Sequence, residues 1–271
     1  MTHSAALDWL NFLLADVRGG LGPYVSVYLV TEANWDPGTI GVVLTVSGII
    51  GIALHTPVGA FIDATRWKRG LIVAGIVALT ACALGIAWSP TVPVVFTADM
   101  VMAILGAVFA PTVAAITLGL VEPKALAARL GRNAAFDRAG NLFIAAFAGM
   151  VGTAFGQRAV FYLVPFFAVW TTLAVLSIPP AAIDHQQARG LPREGPSAPQ
   201  PMNWRLLLMS RPLLTLAAVA ALFHFANAAM LPLVSQKLAL AHPGREAALT
   251  SAAIMVAQFV MIPMSLLVAQ A

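Results

Sequence analysis

Cysteine is almost missing: Cys82 stands alone. One thiol cannot close an internal disulfide, and no Cys/His group shows metal-ligand spacing. Charge is scarce as well. Asp, Glu, Lys and Arg make up 10% of the 271 residues, where soluble domains carry about 25%. With 60% hydrophobic residues, the chain does not read as a soluble globule. The Gly-x4-Gly-Lys-Ser/Thr phosphate loop is missing, which argues against direct drive by ATP. No Ser, His and Asp set sits in a nucleophile motif. The reading is therefore a protein that is not an enzyme, with no cofactor and no metal site.

What is present is a series of long apolar runs. They fall at about 6–30, 39–62, 70–88, 92–121, 133–155, 160–178, 213–240 and 247–269, and are called spans 1 to 8 here. A helix of about 20 apolar residues crosses a bilayer, so the predicted fold class is an all-α polytopic membrane protein. Span 1 lacks a basic leader and a small-residue cleavage site, so it reads as a retained helix. Cys82, in the middle of span 3, reads as a small packing residue.

The net charge is +4 and the pI about 9.7. Lys and Arg crowd the loops after spans 2 and 4 and are missing from those after spans 1 and 3. Membrane orientation, rather than nucleic-acid binding, accounts for this basicity, and the N-terminus is predicted to be cytoplasmic. Trp35, Trp67, Trp88 and Trp204 fall near span ends, as an interfacial aromatic belt requires.

Residues 179–211 break the apolar pattern with Pro179, Pro180, Pro192, Pro196, Pro199 and Pro201 among Gly, Gln, Ser and Arg. This reads as a flexible cytoplasmic linker. It divides a six-helix bundle (1–178) from two further helices (212–271). The two parts carry signs of a repeat. Pro23-Tyr24-Val25-Ser26 matches Pro232-Leu233-Val234-Ser235, and Pro37-Gly38 matches Pro243-Gly244. Pro57 follows Pro37, and Pro263 follows Pro243, at the same spacing.

Charged residues inside apolar runs cost at least a few kcal/mol and need a reason to be there. Asp16 and Arg18 lie near the middle of span 1, where Gly19, Gly20, Gly22 and Pro23 loosen the helix. They are two residues apart and do not share a helix face. Each either lines water or pairs with another helix: Asp16 as a proton carrier, Arg18 as a contact for an anionic group. Asp99 in span 4 is a second candidate for proton coupling. Through the repeat, Asn227 falls opposite Arg18 and His224 close to the counterpart of Asp16, so both are placed near the same midplane cavity. His titrates near neutral pH.

The loop after span 2 reads Gly59-x3-Asp63-x2-Arg66-x-Lys68-Arg69. Gly59 lacks a side chain where helices approach closely. Asp63 is an acid at the end of an apolar helix and wants a cationic or helix-N-terminal partner. Arg66, Lys68 and Arg69 anchor the loop on the cytoplasmic side. This pattern resembles the signature loop between helices 2 and 3 of the major facilitator superfamily. The resemblance implies two six-helix bundles around a central cavity, so eight spans of an expected twelve are present. The repeat would place a second signature loop where the sequence stops, so the chain is expected to be a fragment.

The resemblance further implies a secondary transporter of a small molecule working by alternating access, with protons as the coupling ion. It also implies a monomer in the lipid bilayer of a bacterial inner membrane. Asp63 and the basic loop would latch the gate, with Asp137 and Arg138 pairing with Asp63, Arg66 or Arg132. Span 5 carries Gly140-x8-Gly149, Gly152 and Gly156, which partly resembles the family's antiporter motif. Met150 stands for its proline, and Thr153 and Ala154 for its last glycines. Export of drug-like compounds rests on that partial match, and transport of a small organic anion rests on Arg18. The packing reading of these glycines, and a non-transporting scaffold, stand beside them.

Overall fold

The computed structural model describes residues 3–15, 21–189, 209–228 and 230–268. Among them every regular element is helical. Span 1 forms α1 (His3–Ala15) and α2 (Leu21–Thr31). Span 2 is α3 (Pro37–Ala64). Asp36 caps it, accepting a 2.8 Å hydrogen bond from the Thr39 amide, with Pro37 as the first helical residue. Spans 3 and 4 are α4 (Lys68–Trp88) and α5 (Val92–Leu120). Span 5 is α6 (Leu126–Phe155), about two turns longer at its start than expected. Gly156 ends it at φ +88°, a conformation that favours glycine.

Span 6 is split into a single turn, α7 (Gln157–Val160), and α8 (Leu163–Leu176). Span 7 gives α9 (Arg211–Ala228) and α10 (Met230–Ala241), and span 8 gives α11 (Glu246–Val268). Five helical stretches among the described residues are long and apolar enough to cross a membrane, and shorter apolar helices accompany them.

A first bundle is built from α1 to α8. Helix α3 packs on α5, α4 on α5 and α8, and α1 on α6 and α8. Its core runs through Leu7, Leu10, Leu29, Ile76, Phe109 and Phe161, none more than 1% exposed. Exposed Trp67 and Trp88 mark opposite ends of α4; Trp204 lies outside the described residues. Two helices of the second part dock on this bundle: α11 lies along α6, and α10 lies on α2.

Both α3 and α11 carry an internal proline, Pro57 and Pro263, as the repeat predicts. The match is partial: Pro37 opens α3, whereas Pro243 stands in the turn before α11.

The stretch 179–189 differs from the flexible linker read from its prolines. It folds into two short 3-10 turns against α5. The Asp184 amide donates to the Gly119 carbonyl at 2.9 Å, and the Gln187 side chain donates to the Val121 carbonyl at 2.6 Å. Ile183 and Ala188 are buried beside Gly119. Proline marks where helix stops, but Ile183 supplies the apolar anchor that docks the strap. Residues 190–208 lie outside the described residues.

Candidate functional site

One end of the bundle gathers the ends of α3, α5 and α8 with the starts of α1, α4 and α6; it is called the basic end here. Its electrostatic centre is Asp8, an acid near the end of a span rather than in its middle. Asp8 is 6% exposed. Its carboxylate accepts from Arg129 at 2.6 Å and from Arg132 at 2.8 Å. Arg129 also donates to Ser4 at 2.7 Å and to Asn133 at 2.8 Å. Asn133 in turn donates to the Thr117 hydroxyl at 2.9 Å. Helices α1, α5 and α6 are thus tied by one polar chain. The signal for Asp8 was available: an acid near the start of span 1, at the same end as the loop that carries Arg129 and Arg132.

Arg132 is engaged by Asp8 and stacks over Phe136 at 5.3 Å; the expected pairing of Asp137 and Arg138 with Asp63 involves a side chain outside the described residues. The Asp137 carbonyl accepts from Asn141 at 2.8 Å. The Nε of Arg138 is buried without a hydrogen-bond partner.

The signature loop is also more structural than solvated. Lys68 is 1% exposed, and its ammonium donates to the Ile62 carbonyl in the last turn of α3 at 2.9 Å. Arg69 donates to the Val175 and Leu176 carbonyls at 3.2 and 2.8 Å, at the end of α8. Cations at helix C-termini satisfy orphan carbonyls and meet the negative end of the dipole. Arg66 is exposed. Asp63 lies in the last turn of α3, and its side chain is outside the described residues.

Gly59 departs from its expected role, since no described atom lies within 4 Å of a Cβ built there. The close approach on α3 is at Gly51, where a Cβ would meet that of Ala103 on α5 at 2.6 Å.

Asp99 is half-buried two turns into α5. Its carboxylate is bridged to α3 by the Ser47 hydroxyl, which also lies 2.8 Å from the Val43 carbonyl. Among the described residues no cation pairs with it. Asp16 and Arg18 lie outside the described residues, as does the side chain of His224. Asn227 is exposed on α9 and donates to its own Phe223 carbonyl at 2.8 Å. It does not enter a cavity here, because every described side chain of α9 is exposed.

The glycines of α6 serve packing. A Cβ at Gly140 would meet the Phe12 carbonyl oxygen of α1 at 2.0 Å. Cβ atoms at Gly149 and Gly152 would meet Ser251 and Ala247 of α11 at 2.3 and 2.6 Å. Across the same seam Tyr24 hydrogen-bonds Ser251 at 2.7 Å.

The family model described as Major Facilitator Superfamily matches residues 7–270. Two curated relatives, each named an uncharacterized MFS-type transporter, come from Mycobacterium tuberculosis strains CDC 1551 / Oshkosh and ATCC 25618 / H37Rv. Each is 46% identical over 264 residues. The aligned region covers 97% of this chain and spans 63% of the relatives' length. With its apolar helices, the protein is an integral membrane protein. By the length of the family match, the chain belongs to the major facilitator superfamily.

Proposed function

We propose that this chain supplies the first bundle and part of the second of a secondary transporter that works by alternating access. In this reading the basic end faces the cytoplasm and protons drive export of a small drug-like molecule. The observation that carries it is Asp99. A carboxylate held in an apolar helix by a serine hydroxyl, with no cation beside it among the described residues, is free to take up and release a proton. A locked ion pair such as Asp8 with its two arginines is not. Asp16 is the companion candidate. The seam between α6 and α11, lined by glycine, serine and alanine, supports a close-packed junction about which the two bundles rock, since small residues let helix backbones approach closely.

The test is proton-driven export of a fluorescent lipophilic cation such as ethidium from proteoliposomes with an imposed pH gradient. Asp99→Asn is expected to abolish gradient-driven export while leaving downhill equilibration. Export by this variant at the native rate would remove the role. Asp63→Ala is expected to slow turnover without abolishing ethidium binding, because Asp63 would latch the gate.

A second reading, transport of a small organic anion, is favoured by the buried and unpartnered Nε of Arg138. A guanidinium is suited to a carboxylate or phosphate. Benzoate counterflow lost in Arg138→Gln and kept in Asp99→Asn would select this reading.

A further inference from the structure

At the basic end, a cavity of about 450 Å³ opens between the start of α4, the end of α8 and the 179–189 strap. Its rim carries Arg66, Arg69 and His185, with Trp67 beside them and no acid among its described lining residues. Arg66 is exposed and has no hydrogen bond or ion pair among the described residues. Arg69 uses Nε and one terminal nitrogen on the carbonyls of α8. The Nδ1 of His185 is buried without a hydrogen-bond partner. Trp67 packs so closely on Gly70 that a Cβ there would lie 1.9 Å from its ring, and it is still 66% exposed.

The other wall is apolar. Val73 and Leu176 line the cavity. Exposed Val77, one turn further along α4, and exposed Leu173 on the adjoining α8 continue the surface towards the middle of the bilayer. Cationic groups and an interfacial tryptophan thus sit at the membrane boundary, above an apolar groove between two spanning helices.

We propose that this cavity binds one anionic phospholipid of the leaflet at the basic end. Its phosphodiester sits between Arg66, Arg69 and His185, and an acyl chain lies along Val73, Val77 and Leu173. Basic pockets between spanning helices recognise lipid headgroups by charge at the interface. A free phosphate would use the cations and leave the apolar wall uncovered, so the groove favours a lipid. The site stands whether or not the chain transports anything.

Native mass spectrometry of the purified chain tests this with phosphatidylglycerol, phosphatidylcholine of the same acyl chains, and glycerol phosphate as separate probes. One phosphatidylglycerol should stay bound under conditions that strip phosphatidylcholine. Arg66→Gln should weaken its retention about tenfold, the scale of one charge-assisted hydrogen bond. Lys124→Gln, an exposed basic residue outside the cavity, should leave retention unchanged. Equal retention of the two lipids overturns the proposal, as does a loss in Lys124→Gln matching that in Arg66→Gln. Glycerol phosphate binding as tightly as the whole lipid would make this a soluble-anion site and also overturn it. Should Arg66→Gln fail to fold, the selectivity of the unaltered chain decides alone.

Discussion

Asp8 is 6% exposed and accepts from two guanidiniums, one of them on the buried Arg129. Removing the acid would leave the largely buried Arg129 uncompensated. Asp8→Asn is therefore expected to cost about 3 kcal/mol, read as a lower thermal unfolding midpoint in detergent. An unchanged midpoint would mean the pair is neutral to stability. Asp36 offers a pH test at the other end. The Thr39 and Gly38 amides hold its exposed carboxyl below the ordinary carboxylate range. Its folded pKa is depressed, so its contribution is present above the unfolded pKa and lost as pH falls through the folded value. In Asp36→Ala that acid-side loss of stability should shrink, as followed by unfolding midpoints from neutral pH downwards.

At the scale of elements, α6 joins the two parts of the chain. Its Gly140 face touches the backbone of α1, and its Gly149 and Gly152 faces touch α11. Gly140→Ala forces a methyl against a carbonyl oxygen, which must move with its helix. A loss of about 1–3 kcal/mol is expected. Gly152→Val should instead loosen α11 and leave the first bundle intact. Faster proteolysis after Ala241 with unchanged protection of α4 and α5 would show this. The three glycines were visible in the sequence as a spacing. Which helix each one meets was not, because a 3.6-residue period fixes the face of a helix and not its neighbour. The strap at 179–189 shows the same limit: its prolines signalled the end of a helix, while its docking depends on Ile183 finding Gly119.

At the scale of the whole molecule, orientation is the property that decides what the basic end can do. It is open to a labelling experiment, since Cys82 is the one natural thiol. In a Cys82→Ala background, Lys124→Cys at the basic end and Thr91→Cys at the opposite end give two exposed reporters. In right-side-out vesicles an impermeant maleimide should reach Thr91→Cys and spare Lys124→Cys. The reverse pattern would turn the protein over and place the lipid cavity in the outer leaflet.

By itself the sequence determined the class of this protein. Long runs without charge have few stable states in water, and a bilayer permits them only as helices with every backbone bond closed. The basic loop and its spacing marked the superfamily that the family match then established over residues 7–270. Tertiary structure alone decided the partners. Arg132 stands five positions before Asp137 on the same helix, and it is engaged by Asp8, a residue 124 positions away. Lys68, read as one of three residues anchoring the loop on the cytoplasmic side, is buried against the end of α3. Both outcomes follow from the need to satisfy buried charge, which sequence spacing announces but only the packing of helices can answer.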